Sequence, residues 1–241
     1  MSTNGLYAFI MALPLAVEFE GITPPPRENL QERVYGELRR AIMSGLFPPG
    51  RALTIRAVAA ALGTSVMPVR EALRQLVAER AVVVRPNRSF ATPRMTRAAF
   101  ADLTRIRVHI EAFAAAEAAR RMTPATLRRL QELNEAMAEA EAAGDGRLYI
   151  ELNHRFRFTL YDAAGSAVLL PIIESLWLQI GPYLTFIFSD KGAVVSLAGH
   201  RALLAALRKR DPAAAQAALA RDINEAAATL ERVADFDEET P

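Results

Sequence analysis

The chain has no cysteine, which removes disulfides, thiolate metal centres and cysteine nucleophiles together and leaves only nitrogen and oxygen groups for chemistry. Histidine is scarce as well: His109, His154 and His200 are the only three, and they are far apart. There is no glycine-rich phosphate loop, no GxSxG elbow and no HExxH pair, so the common nucleotide, hydrolase and zinc-protease machineries are excluded and a non-enzymatic role is expected. The apolar stretch over residues 6–17 lacks the basic flank of a signal peptide, and it is shorter than the roughly 20 residues that span a bilayer. A cytoplasmic protein with no membrane partner and an N-terminal arm over residues 1–26 is the expectation.

What is present is unevenly distributed. The net charge of +2 conceals a polarity: residues 27–94 carry 12 arginines, no lysine and five acids (12 minus 5, or +7), while residues 95–241 carry 17 basic and 20 acidic residues (17 minus 20, or −3). A compact, strongly positive segment ahead of a mildly acidic one suits a nucleic-acid module joined to a different module, because each neutralised phosphate releases counterions. With 241 residues, 51% of them hydrophobic, two domains of ordinary size can each build a core.

Periodicity separates the modules further. The run Thr23-Pro24-Pro25-Pro26 cannot continue a helix and marks a linker. Leu30, Val34, Leu38 and Ile42 recur at four-residue spacing, which predicts a helix over 28–44 ended near Gly45. Thr54 is placed to cap a short helix over 55–62, and Gly63-Thr64 to make a turn. A third helix follows over 67–79, with Val69, Leu73, Leu76 and Val77 inward and Pro68 tolerated in the first turn. The period then becomes strand-like: 81–84 and 89–92 form a hairpin around Arg85-Pro86-Asn87-Arg88. From Thr96 the chain reads as helices over 96–119, 124–142, 146–163, 166–188, 192–209 and 212–232, with short breaks that imply antiparallel neighbours. The fold class is therefore mainly α, an N-terminal winged helix-turn-helix followed by an antiparallel all-helical bundle. The domains run 27–94 and 95–234, and an acidic tail over 235–241 is expected to fray.

A helix thin enough for the major groove is what sequence reading of DNA requires. The third helix offers Ser65, Arg70 and Arg74, with the two arginines one turn apart. Arg56 in the preceding helix is placed for a phosphate, and Arg88 at the wing tip for the minor groove. The competing assignment is ion pairing, of Arg70 with Glu71 or Glu37, or of Arg74 on its own helix.

The segments LRRAIMSGLFPPG (residues 38–50), LTIRAVAAALG (53–63) and above all PVREAL (68–73) resemble the GntR family of bacterial regulators, and the helical part resembles the FadR-like branch. The resemblance implies a homodimer on double-stranded, pseudo-palindromic operator DNA, controlled by a small metabolite, with DNA contacts from Arg56, Ser65, Arg70 and Arg88. Two departures stand out. Val66 and Met67 replace the Arg-Thr of the family's usual Ser-Arg-Thr-Pro, and the usual glycine before the wing is replaced near Arg80, which removes backbone freedom there.

Many FadR-like domains hold a divalent metal with an Asp, a His four residues later, and two further His from the last helices. Here Asn153 stands at the Asp position and Arg157 at the first His, His200 matches the third ligand, and Asp222 falls at the fourth. A guanidinium cannot coordinate a metal, and a buried one requires an acceptor. The reading is a cavity that has exchanged metal for Arg157, with Asp222 as its internal partner, His200 and Asn153 beside it, and a small organic acid as effector. Arg107 either points into the same cavity or pairs with Glu111 one turn on. A metal site of His154, His200 and Asp222 stays open as the alternative, as does an effector-independent architectural DNA-binding dimer. Trp177, Tyr183, Phe186 and Phe188 are read as core or dimer surface, with one or two of them lining the cavity.

Overall fold

The structure, a computed structural model, describes residues 30–86, 89–188 and 197–238. The arm at 1–26, the wing-tip Arg88 and the start of the helix expected from 192 lie outside the described residues.

Helices α1 (Leu30–Met43), α2 (Ile55–Ala61) and α3 (Val66–Ala78) bury one stripe each, Val34, Leu38 and Ile42 meeting Val58, Val69, Leu73 and Leu76. Thr54 caps α2 by accepting from the Ala57 N–H at 3.3 Å, which satisfies one of the orphan donors of the first turn. Strands β1 (Ala52–Leu53), β2 (Val83–Val84) and β3 (Phe90–Ala91) form an antiparallel sheet in the order β1-β3-β2, with Leu53 and Val84 both facing Phe90. The hairpin is shorter than the sequence suggests. Ala81 and Val82 are buried because they complete the end of α3: the Ala81 N–H donates to Leu76 O and the Arg80 N–H to Val77 O, both at 3.0 Å. These two bonds form a Schellman motif with Arg80 at the left-handed position, φ 60, where glycine is the usual residue. A side chain in that conformation costs about 1–2 kcal/mol. Arg80→Gly is expected to raise the stability of the reading head by about 1 kcal/mol, measured by urea denaturation; unchanged or lower stability would show that the arginine side chain offsets its backbone strain.

The second module comprises α4 (Arg97–Arg121), α5 (Pro124–Ala142), α6 (Gly146–Asp162), α7 (Leu169–Ile180), a 3-10 segment (Gly181–Phe188), α8 (Ala198–Lys209) and α9 (Pro212–Val233). Thr96, Thr123, Asp145 and Asp211 each cap a helix through the side chain, and Pro124 and Pro212 occupy first-turn positions where no N–H is missed. Helix α4 runs through the middle, burying Ala112, Ala114, Ala115, Ala116, Ala118 and Ala119; these small side chains let α9, its most extensive partner, approach closely. The helix expected over 166–188 is instead α7 followed by 3-10 turns, since Pro182 lacks the N–H that would continue the ladder. The stretch Leu169–Ile187 is long and apolar enough to cross a membrane by composition, and more than half of it is buried within the fold, as in a core helix.

The expectation of a frayed tail is corrected for its described part. Phe236 packs against Phe100 and Tyr183, and Asp237 bridges in parallel to Thr96 in the linker between the modules. An apolar ring in an otherwise acidic segment supplies the burial that the charges alone would not.

Candidate functional site

On the first module, Arg56, Ser65, Arg70 and Arg74 are all exposed. Ser65 sits at the N-cap of α3 with no side-chain capping bond, so its hydroxyl is not committed to the helix. Arg70 and Arg56 have no ion-pair partner among the described residues; the alternative pairing of Arg70 with Glu71 or Glu37 is not formed. Glu71 binds Arg74 instead, at 3.0 Å and one turn apart, and Glu37 binds Arg40 at 2.8 Å. An exposed pair of this kind is worth little and exchanges readily for a phosphate. Val66 and Met67 are 40% and 59% exposed beside them, so the first turn of α3 presents apolar groups between the basic ones. At the base of the wing, Arg85 Nη2 donates to Gly50 O at 2.6 Å, which ties the hairpin to the loop before β1.

In the helical module, α6 carries Tyr149, Asn153, Arg157 and Tyr161 at four-residue spacing, and all four are buried. This stripe faces α9 and α4. Arg157 Nη2 donates to Asp222 Oδ2 of α9, the partner expected from sequence. Burial opposes the Arg157 charge, and Asp222, Tyr161 and Glu111 more than offset it, so the guanidinium is held protonated. The Tyr161 hydroxyl donates to Glu111 Oε2, and Glu111 Oε1 accepts from Arg107 Nε at 2.6 Å. Arg107 thus does both things envisaged for it: it pairs with Glu111, and it borders the cavity with its guanidinium 5.6 Å from the Trp177 ring centre. Two arginines and two carboxylates balance in charge across three helices.

His200 lies 3.8 Å from Asp222 Oδ2, beyond hydrogen-bond reach, and stacks on Phe156 at 4.6 Å. Burial chiefly, with Arg157 adding to it against the pull of Asp222, lowers its pKa to about 4, so the ring is neutral near pH 7. Asp222 approaches so closely because residue 199 is glycine: a Cβ there would collide with the Asp222 carboxylate.

Arg107, Arg157, His200 and Asp222 border a small void together with Phe100, Tyr149, Asn153 and Leu230. Its volume is ≈ 30 Å³, room for about one or two waters. The unmet hydrogen-bonding capacity around it is concentrated on nitrogen: Arg157 Nε and Nη1, Trp177 Nε1 and His200 Nδ1 are buried without hydrogen-bond partners among the described residues.

The metal alternative does not fit this arrangement. His154 is not brought to His200 and Asp222; its ring packs on Phe158 at 4.4 Å and Trp177 at 5.7 Å. Among the described residues no three His, Cys, Asp or Glu side chains converge, and the oxygen of Asp222 already accepts from Arg157. One carboxylate and one imidazole beside a guanidinium are too few donors, with the wrong charge, for a divalent ion. Sequence reasoning did not single out Tyr149 or Tyr161, although their place in the four-residue ladder through Asn153 and Arg157 was the available signal. Of the aromatic residues of the long apolar stretch, Trp177 borders the void, and Tyr183 packs instead toward the linker.

Residues 30–91 match the model of "Bacterial regulatory proteins, gntR family", and residues 102–225 match that of the FCD domain. The HTH-type transcriptional regulator McbR of Escherichia coli (strain K12) is 33% identical over 186 residues, which is 76% of this chain and 84% of its own length. A probable D-xylose utilization operon transcriptional repressor of Paenarthrobacter nicotinovorans is 29% identical over 203 residues, 82% of this chain and 87% of its own. Among solved structures, E. coli McbR/YncC superposes with a TM-score of 0.79 at 31% identity, covering 86% of this chain and 99% of that one. A putative GntR regulator from Rhodococcus sp. RHA1 gives 0.68 at 25% identity, covering 84% and 98%. The named relatives are regulators rather than enzymes.

Proposed function

The chain belongs to the gntR family of bacterial regulatory proteins and is a transcriptional regulator with an FCD domain; from that premise we propose that it is a cytoplasmic homodimer whose operator affinity is set by a small organic acid bound beside Arg157. Arg56, Ser65, Arg70, Arg74 and Arg88 contact the operator, and Arg107, Asn153, Arg157, His200 and Asp222 form the effector site, with no metal required. Two reading heads related by a dyad are needed because one winged module makes too few base contacts to select a site.

A single observation carries the effector class: among the described residues, the buried groups without partners around the void are nitrogens, two of them on a guanidinium. The guanidinium nitrogens are obligatory donors completed by acceptors, and because Nε and Nη1 lie on different edges of the group, each is met by a separate charge-assisted bond of the kind a carboxylate oxygen supplies. A second reading, a regulator that works without an effector, is favoured by the size of the void, ≈ 30 Å³, which no metabolite enters unless the helices part. The test has two steps. Selection of duplexes from a random pool yields an inverted repeat if the dimer reads two half-sites. Thermal denaturation against a panel of carboxylates, with their neutral amides as controls, then identifies an acid that stabilises the protein and changes its affinity for the selected duplex. If no acid does so while the duplex binds tightly, the effector-independent reading replaces the first. A pool from which no sequence is enriched would overturn both.

A further inference from the structure

The two modules are joined through residues 93–97, and the chain's last described residues return to hold that joint. The Asp237 N–H donates to Met95 O at 2.9 Å, and the Met95 N–H donates to the Tyr183 hydroxyl at 2.7 Å. Both backbone groups of Met95 are therefore held by the helical module. Phe236 is stacked on Tyr183 at 5.4 Å and set edge-on to Phe100 at 5.2 Å. The Arg97 guanidinium lies 4.9 Å from the Phe236 ring centre and donates to Glu231 O at 2.7 Å. Arg94 reaches both ways: its Nε is 3.0 Å from Asp237 Oδ1, and its aliphatic stem covers Gly50 in the reading head so closely that a Cβ there would meet its Cδ at 3.2 Å.

We propose that residues 234–238 are a latch through which movement of α9 at the effector cavity is passed to the linker that carries the DNA-reading head. The proposal rests on α9 forming one wall of the effector site. Asp222 lies in α9, and the latch follows the same helix directly. A void of ≈ 30 Å³ admits an acid only if its walls part; α9 supplies five of the lining residues, from Asp222 to Leu230, and a helix displaced there carries the displacement to its far end. The head is docked at a second place as well. On its other side it rests on the helical module through Gly45 against Gly181 and an Arg39–Glu174 pair at 3.1 Å. An open cleft of ≈ 340 Å³, bordered by Arg40, Leu46, Arg147 and Thr185, separates the modules alongside that contact. Closed, the latch fixes one placement of the head; released, it leaves the linker as an unsupported strand, and the placement of the two heads on a duplex changes.

The experiment needs no effector. Amide hydrogen exchange is followed on the full chain for wild type, Asp237→Ala, Phe236→Ala, Asp222→Asn and the double variant Asp222→Asn/Phe236→Ala. The Asp237 side chain is half-exposed, so its removal does not threaten the fold if Phe236→Ala should. Asp237→Ala and Phe236→Ala are expected to speed exchange at the Met95 amide by about tenfold while α5 and α6 keep their protection. Asp222→Asn is expected to speed the same amide by more than it speeds those of α5 in the wild-type background, and to add nothing to that difference once Phe236 is gone. Met95 exchange indifferent to Asp222, or effects that simply add in the double variant, would overturn the latch. Neither result bears on whether an acid binds beside Arg157, which the carboxylate panel decides separately.

Discussion

Arg157→Ala is expected to lower the stability of the helical module by about 3–5 kcal/mol, because it strands the Asp222 carboxylate in the interior. Both side chains are about 6% exposed, and His200, neutral at pH 7 and 3.8 Å away, is no substitute partner. Against a total stability of about 5–15 kcal/mol, the single variant is hard to use in any binding assay. The informative comparison is with Arg157→Met/Asp222→Ala, which removes both charges and is expected to recover most of the loss. That double variant should bind operator duplex like the wild type and fail to respond to the carboxylate that stabilises the wild type. Denaturation curves and duplex titrations on the three proteins check this. A double variant that stays as unstable as the single one would mean that Arg157 is held chiefly by Tyr161 and Glu111 rather than by Asp222. A retained acid response would remove Arg157 from the effector site.

Arg70→Ala is expected to cost roughly two to four orders of magnitude in affinity for the selected operator, from about 1–3 kcal/mol at each of two half-sites. The effect on an unrelated duplex should be small, and thermal stability should not change, since Arg70 is exposed and has no ion-pair partner among the described residues. Arg74→Ala is the natural comparison. Its guanidinium already leans on Glu71, and its loss should weaken both duplexes alike and reduce the salt dependence by about two units of slope, one at each half-site. Titrations of both duplexes at several salt concentrations separate the two roles. If Arg70→Ala weakened specific and unrelated duplexes equally, Arg70 would be a phosphate contact, and base reading would pass to Ser65 and the exposed pair Val66 and Met67.

Much of this arrangement is legible in the sequence. The helices of the reading head and most of those in the helical module follow from apolar repeats bounded by Thr-Pro, Gly-Asp-Gly and Asp-Pro breaks, because a long amphipathic helix is a local pattern repeated many times. The pairing of Arg157 with Asp222 was also legible, since a buried arginine requires a carboxylate and few stood in the right place. The two-residue strand β1 was not, being too short for any period to register. The Schellman close at Arg80 hid Ala81 and Val82 from the expected strand, and Gly181-Pro182 broke a helix that the apolar composition alone would have continued.

The sequence alone determined which residues turn inward on most of the helices, where most of them stop, and that positive charge collects in one module. These are properties of neighbours three or four positions apart, and the energies that select them are local. Only the tertiary structure decided that Glu111 and Tyr161 complete the ionic chain, that His154 stands apart from His200, and that the acidic tail closes on the linker. Each depends on which faces of distant helices meet. That is settled by close packing over the whole core, as where the absent side chain of Gly199 lets α9 bring Asp222 onto Arg157.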